Sequence, residues 1–138
     1  MGKKIIVLFA RGLLNVRRQK MVKHIWSVIC KESVINQENN AISLMNVFEG
    51  LQVSVKRDAP KNLEINLPVQ YEIVTLLKKD KKNTDERVEL KITLIDPNGV
   101  VILKPIIVPI VMEKGKLNHR HRLKNFGFRV TVPGEYKF

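Results

Sequence analysis

One cysteine, Cys30, occurs in 138 residues. A single thiol excludes an intrachain disulfide and leaves no cysteine framework of the kind that staples small secreted domains, so a reducing, cytoplasmic setting is expected. Long apolar runs are missing from the N-terminal region as well. The stretch Ile5 to Ala10 is interrupted by Arg11, far short of the roughly 20 residues that a membrane helix needs, and no small-residue cleavage site follows to suit a signal peptide. The chain has no glycine-rich phosphate loop, no His-Glu-x-x-His, no Cys-x-x-Cys and no Gly-x-Ser-x-Gly. Nothing in the sequence therefore points to an enzyme, a cofactor or a resident metal.

What is present is an ordinary apolar fraction of 44% in a length that fits one folded domain. The net charge of +12 is concentrated at the ends: residues 1–23 carry seven Lys or Arg and no acid, and residues 114–138 carry seven against Glu135 alone. Such ends favour encounter with polyanions without specifying a site.

Residues 1–22 read as a basic N-terminal extension, extraneous to the domain or helical. In a helix, Ile5, Phe9, Leu13 and Val16 share one face while Lys4, Arg11 and Arg18 recur on the other. That pattern suits a helix lying on anionic membrane, although Gly12 weakens it and Met21 is an alternative start. Membrane contact by residues 1–20 is the lesser reading.

From residue 23 strand signals take over. "HIWSVICKESVI" and the less cleanly alternating "AISLMNVFEGLQVSV" flank the polar turn "NQENN" as a hairpin. "LPVQYEIVTLL" runs into Lys78-Lys79-Asp80-Lys81-Lys82, a charge run expected in an exposed loop. Val88, Leu90, Ile92 and Leu94 alternate with Glu89, Lys91 and Thr93, which suits a half-buried antiparallel strand, and Asp96-Pro97-Asn98-Gly99 then reverses the chain. Pro105 and Pro109, four apart, lose donors on the same side of their strand, which assigns that strand to a sheet edge. "KLNHRHRLKNFGFRVTV" and a short "GEYKF" complete about seven strands, the pattern of an all-β antiparallel immunoglobulin-like sandwich over residues 23–138.

The order of the blocks "WSVICKESVI", "ISLMNVFEGLQV", "LPVQYEIVTLL", "ELKITLIDPNGVVIL", "HRHRLKNFGF" and "VPGEYKF" resembles a family of small, functionally uncharacterised bacterial β-sandwich proteins. The resemblance implies a single sandwich with no recognised active site. It also implies a domain that starts just before the first strand and continues beyond Phe138, so that the last strand here is cut short.

Candidate chemistry is sparse. Cys30 reads as a small buried residue. His119 and His121, two apart on a strand, face the same way, but the neighbouring cations Arg120, Arg122 and Lys124 argue against a zinc ligand pair. Two non-catalytic functions remain. In the first, an interaction module binds a protein partner, or a second copy, through an exposed sheet edge, with Glu135, Tyr136, Lys137 and Phe138 as the candidate edge. In the second, Arg120, Arg122, Lys124 and Phe126 contact nucleic acid along the basic strand at residues 119–129.

Overall fold

Strand alternation organises nearly the whole chain. A computed structural model describes residues 3–10, 21–48, 50–55, 58 and 64–137. Its strands are β1 (Lys3–Ala10), β2 (Val22–Ile35), β3 (Ile42–Val47), β4 (Gly50–Val55), β5 (Ile65–Lys79), β6 (Glu86–Ile95), β7 (Val101–Met112), β8 (Asn118–Val130) and β9 (Gly134–Lys137). They form two sheets, in the orders β4-β1-β9-β6-β7 and β3-β2-β5-β8. Every pairing is antiparallel except that of β1 with β9, which is parallel.

The seven expected strand segments are all present, with two differences. The segment 42–55 is split between β3 in one sheet and β4 in the other. Asn46 turns the chain there at a φ of 51°, which an asparagine tolerates better than most residues, and this change of sheet accounts for its blurred alternation. The second difference corrects a helical N-terminal extension: Lys3–Ala10 is a strand between β4 and β9. Consecutive β-branched Ile5, Ile6 and Val7 favour the extended backbone, and β1 pairs with β4 along Lys3–Leu8 and with β9 along Val7–Ala10. Residues 11–20, the rest of the proposed helix, lie outside the described residues.

One core is shared by the two sheets. Leu90, Ile92, Leu94, Ile110, Met112 and Tyr136 from the first meet Val22, Tyr71, Ile73, Leu77, Phe128 and Val130 from the second. Phe128 sits between Tyr71 and Tyr136, with edge-to-face ring centroids at 6.3 and 5.4 Å, an arrangement that aromatic quadrupoles favour. The expected edge placement of β7 holds. Pro105 lies where the β6–β7 register shifts, and Pro109 stands opposite Glu89.

The chain reversals interlock. Asp96 Oδ1 accepts the amides of Asn98 at 2.9 Å and Val100 at 2.8 Å, closing the β6–β7 turn, and its Oδ2 accepts the Thr131 hydroxyl at 3.4 Å. Tyr136 Oη donates to the Val132 carbonyl at 2.7 Å and accepts the amides of Thr131 and Val132 at 2.9 and 3.1 Å. A buried tyrosine thus bonds back to the turn from which its own strand emerges, the arrangement called a tyrosine corner in two-sheet folds.

The charge run Lys78–Lys82, whose first two residues end β5 and are not in a loop, is exposed except at Lys79, which is fully buried. Its ammonium donates to the carbonyls of Thr84, Met112 and Glu113, tying the β5–β6 loop to the end of β7. This corrects the reading of the whole run as solvated: one long side chain among five finds three acceptors in the interior, which offset the cost of removing its charge from water.

Candidate functional site

The basic strand selected from the sequence is β8, and its side chains divide by face. Tyr71, Ile73 and Leu77 of β5 belong to the core, so their β8 register partners Asn125, Leu123 and His119 point inward, together with His121 opposite Thr75. Arg120, Arg122 and Lys124, opposite Leu76, Val74 and Glu72, belong to the outer face. The histidines and the cations are therefore on opposite sides of the sheet, and repulsion by those neighbours is not what governs the imidazoles. The His119 and His121 rings stack at 6.5 Å, 14° apart. Both are held below the usual histidine pKa by burial; for His119, the adjoining His121 and Lys116 add to the effect. Among the described residues no group of three or more His, Cys, Asp or Glu is placed to hold a metal.

The outer face is not open. Glu72 and Val74 are 1% and 0% exposed, although alternation turns them away from the core. Their cover is the β2–β3 hairpin. The β2–β5 ladder ends at Cys30↔Glu72, while β2 continues with β3 as far as Ile35↔Ile42, and the free half of the hairpin folds back across β5 to β8. Three polar contacts pin it there. The Arg120 guanidinium donates to the Asn40 carbonyl and, at 2.8 Å, to Asn40 Oδ1. Arg122 donates to the Ser33 carbonyl at 3.1 Å and to its hydroxyl at 3.3 Å. The Ser33 hydroxyl donates in turn to the Glu72 carboxylate, whose other oxygen lies 3.5 Å from Lys124 Nζ.

The three cations proposed for nucleic acid are thus each engaged within the chain, while Phe126 is 70% exposed. Cys30 is fully buried beneath the same hairpin, its thiol pKa raised by burial first and by the Glu72 charge second. The expectation of a small buried residue holds.

No protein-family model, curated protein or solved structure matches the chain. Function must therefore be read from the geometry.

Glu72, Ser33 and Asn40 escaped the sequence reading. The available signal was a lone acid inside Tyr71–Leu77, a run apolar enough to be buried on both faces, where a carboxylate needs a partner.

Between the hairpin and β8 lies a cleft of about 570 Å³, lined by Trp26, Ile35, Asn40, Ile42, Leu76, Lys116, Asn118, His119 and Arg120. A different polar chain runs nearby. His24 Nε2 is 2.8 Å from Ser27 Oγ, which is 2.9 Å from Thr75 Oγ1. A serine beside a histidine has the form of a nucleophile and its base, and the His24 pKa is lowered by burial, with a backbone bond to Trp26 opposing that shift. Neither His24 nor Ser27 lines this cleft or the smaller one beside Val111 and Glu113.

The candidate edge at the C-terminal end is corrected by the topology. β9 is an interior strand: β1 pairs with it from Gly134 to Lys137, and β6 meets it at Ile95↔Lys137. Glu135, Tyr136 and Lys137 therefore present no continuous edge, and Phe138 lies outside the described residues. The physical reason is the N-terminal segment, which occupies the flank that the sequence reading left open. One strand away lies a flank in line with β9, past the Ile95↔Lys137 pair. Beyond Ile95, the side of β6 that faces away from β7 has no strand partner from Val88 to Leu94 among the described residues.

Proline chemistry indicates which β6 groups face that flank. Pro109 has no N–H to give to β6, which suits a non-hydrogen-bonded pair, and in such a pair Glu89 turns its own N–H and C=O away from β7. Lys91, two residues on, does the same.

Proposed function

We propose that this chain is a non-catalytic binding module with an immunoglobulin-like sandwich body, which takes up an extended segment of a protein partner along the flank of β6 that has no strand partner among the described residues. The tyrosine corner, the core shared by two sheets and the resemblance to uncharacterised bacterial β-sandwich proteins support the body. The observation that carries the binding reading is that, among the described residues, Val88–Leu94 has no strand partner on the side away from β7, the side to which the Glu89 and Lys91 amides and carbonyls are directed. An added antiparallel strand satisfies those groups and places alternate apolar side chains over Leu90, Ile92 and Leu94.

Panning a peptide-display library tests this. Expected are extended peptides of alternating apolar character that protect the Glu89 and Lys91 amides from hydrogen exchange, and whose binding is lost in Glu89→Pro, a change that removes a donor from that flank only. Equal binding by wild type and Glu89→Pro overturns the reading. Sedimentation distinguishes a second copy of the chain as the strand donor.

Nucleic-acid binding along residues 119–129 is the weaker reading, supported by exposed Phe126 and by Lys124, whose side chain is 65% exposed. A steep loss of affinity with salt, combined with a preference among strand types, is its signature.

A further inference from the structure

The cleft between the β2–β3 hairpin and β8 has no part in strand addition, and its lining is chemically one-sided. Trp26, Ile35, Ile42 and Leu76 supply an apolar floor and wall; Arg120 and Lys116 supply cations; Asn40 and Asn118 are neutral, the His119 ring turns to the other face of the sheet, and none of the nine lining residues is a carboxylate. A volume near 570 Å³ lies within the roughly 300–1,000 Å³ typical of small-molecule sites. The walls are held in place before any ligand arrives. Ile35 and Ile42 face each other across the β2–β3 ladder, and the hairpin that carries them is fastened to β8 through Asn40 and Ser33. Arg120 uses one terminal nitrogen for both bonds to Asn40, and its guanidinium has further donors. Lys116 is paired on the surface with Glu113 at 2.9 Å, with both side chains about two thirds exposed, a pairing weak enough for an incoming anion to displace.

We propose that this cleft is a binding site for a small organic anion with a flat apolar body, its ring seated on Trp26 and Leu76 between Ile35 and Ile42, and its carboxylate or phosphate held by Arg120 and Lys116. An apolar floor selects against simple inorganic ions. The absence of any carboxylate in the lining selects against cations and gives the anion its preference over neutral analogues. Trp26 offers an aromatic face for a ring to stack on.

Trp26 is the sole tryptophan, so its fluorescence reports directly on the cleft. The full chain is titrated with naphthalene-2-carboxylate, with the neutral naphthalene-2-carboxamide, and with adenosine 5′-monophosphate to distinguish a carboxylate head from a phosphate. Expected is a saturable change with at least one anion, no comparable change with the amide, and a rise in melting temperature with the same anion.

Two variants that leave the hairpin fastenings intact test the placement. Lys116→Gln weakens binding by up to about fivefold, the scale of one exposed charge contact. Asn118→Asp, nearly isosteric, puts a carboxylate into the cleft and weakens it by more than Lys116→Gln. Three results overturn the proposal: no saturable change with either anion, binding of the amide as tight as that of the carboxylate, or an Asn118→Asp variant that binds the anion as well as wild type.

Discussion

Arg122→Gln should unfasten the β2–β3 hairpin and expose Cys30. In the native chain Cys30 is fully buried on the face that the hairpin covers, so a thiol reagent reaches it only when the hairpin lifts. Arg122 supplies two bonds to Ser33, at 3.1 and 3.3 Å, in a partly buried setting. Charge-assisted bonds contribute about 1.5–3 kcal/mol when well formed. The longer of these two bonds and the access of solvent to Arg122 reduce the expected loss to roughly 1–2 kcal/mol of hairpin closure. At about 1.4 kcal/mol per factor of ten, the open population rises about fivefold to thirtyfold. The assay is the rate of Cys30 modification by an aromatic disulfide at fixed pH in native buffer, under conditions where reclosing outpaces reaction, so that the rate follows the opening equilibrium. The Cys30 thiol is shifted by burial and by the Glu72 charge, both of which hold it protonated and slow, so an acceleration on loss of Arg122 reports opening. A rate within twofold of wild type would refute the role of Arg122 as a fastening.

Other outcomes follow from the same geometry. Tyr136→Phe removes the hydroxyl that serves Thr131 and Val132 and should cost about 2–3 kcal/mol in urea unfolding; a loss below about 0.5 kcal/mol would contradict the corner. Lys79→Met strands the carbonyls of Thr84, Met112 and Glu113 and should destabilise by about 1–3 kcal/mol, measured by the same unfolding. The pKa values of His24, His119 and His121 are lowered in the fold, so on acidification the unfolded chain takes up protons before the folded one does. The urea midpoint should therefore fall as pH drops below about 6.5, and combined His→Gln replacement should flatten that dependence.

The sequence announced its strands because alternation and turn chemistry are local. Leu90, Ile92 and Leu94 are buried as their spacing requires, and the Asp96–Gly99 reversal forms as its residues dictate. Pro105 and Pro109 even placed β7 at an edge, since a missing N–H is a local fact with a global consequence. Sheet partnership is not local. Whether β9 is an edge depends on β1, more than a hundred residues earlier in the chain, and no periodicity encodes that meeting. The candidate site was legible in part. Arg120, Arg122 and Lys124 were correctly placed on one face, but their engagement depends on a hairpin whose fold-back arises only where β2 parts from β5 after Cys30. Lys79 shows the same limit: within a charge run, sequence does not reveal which of the lysines meets buried carbonyls.

The parallel pairing of β1 with β9 has a consequence for synthesis on the ribosome. β1 meets β4 soon after both are made, but its other neighbour, β9, follows more than a hundred residues later in the chain. Until β9 is made, one side of this apolar strand waits beside an empty position, and the five-stranded sheet closes only when β9 inserts between β1 and β6. Such a late, long-range step is slow, and the waiting strand is a natural client for a chaperone that recognises extended apolar segments.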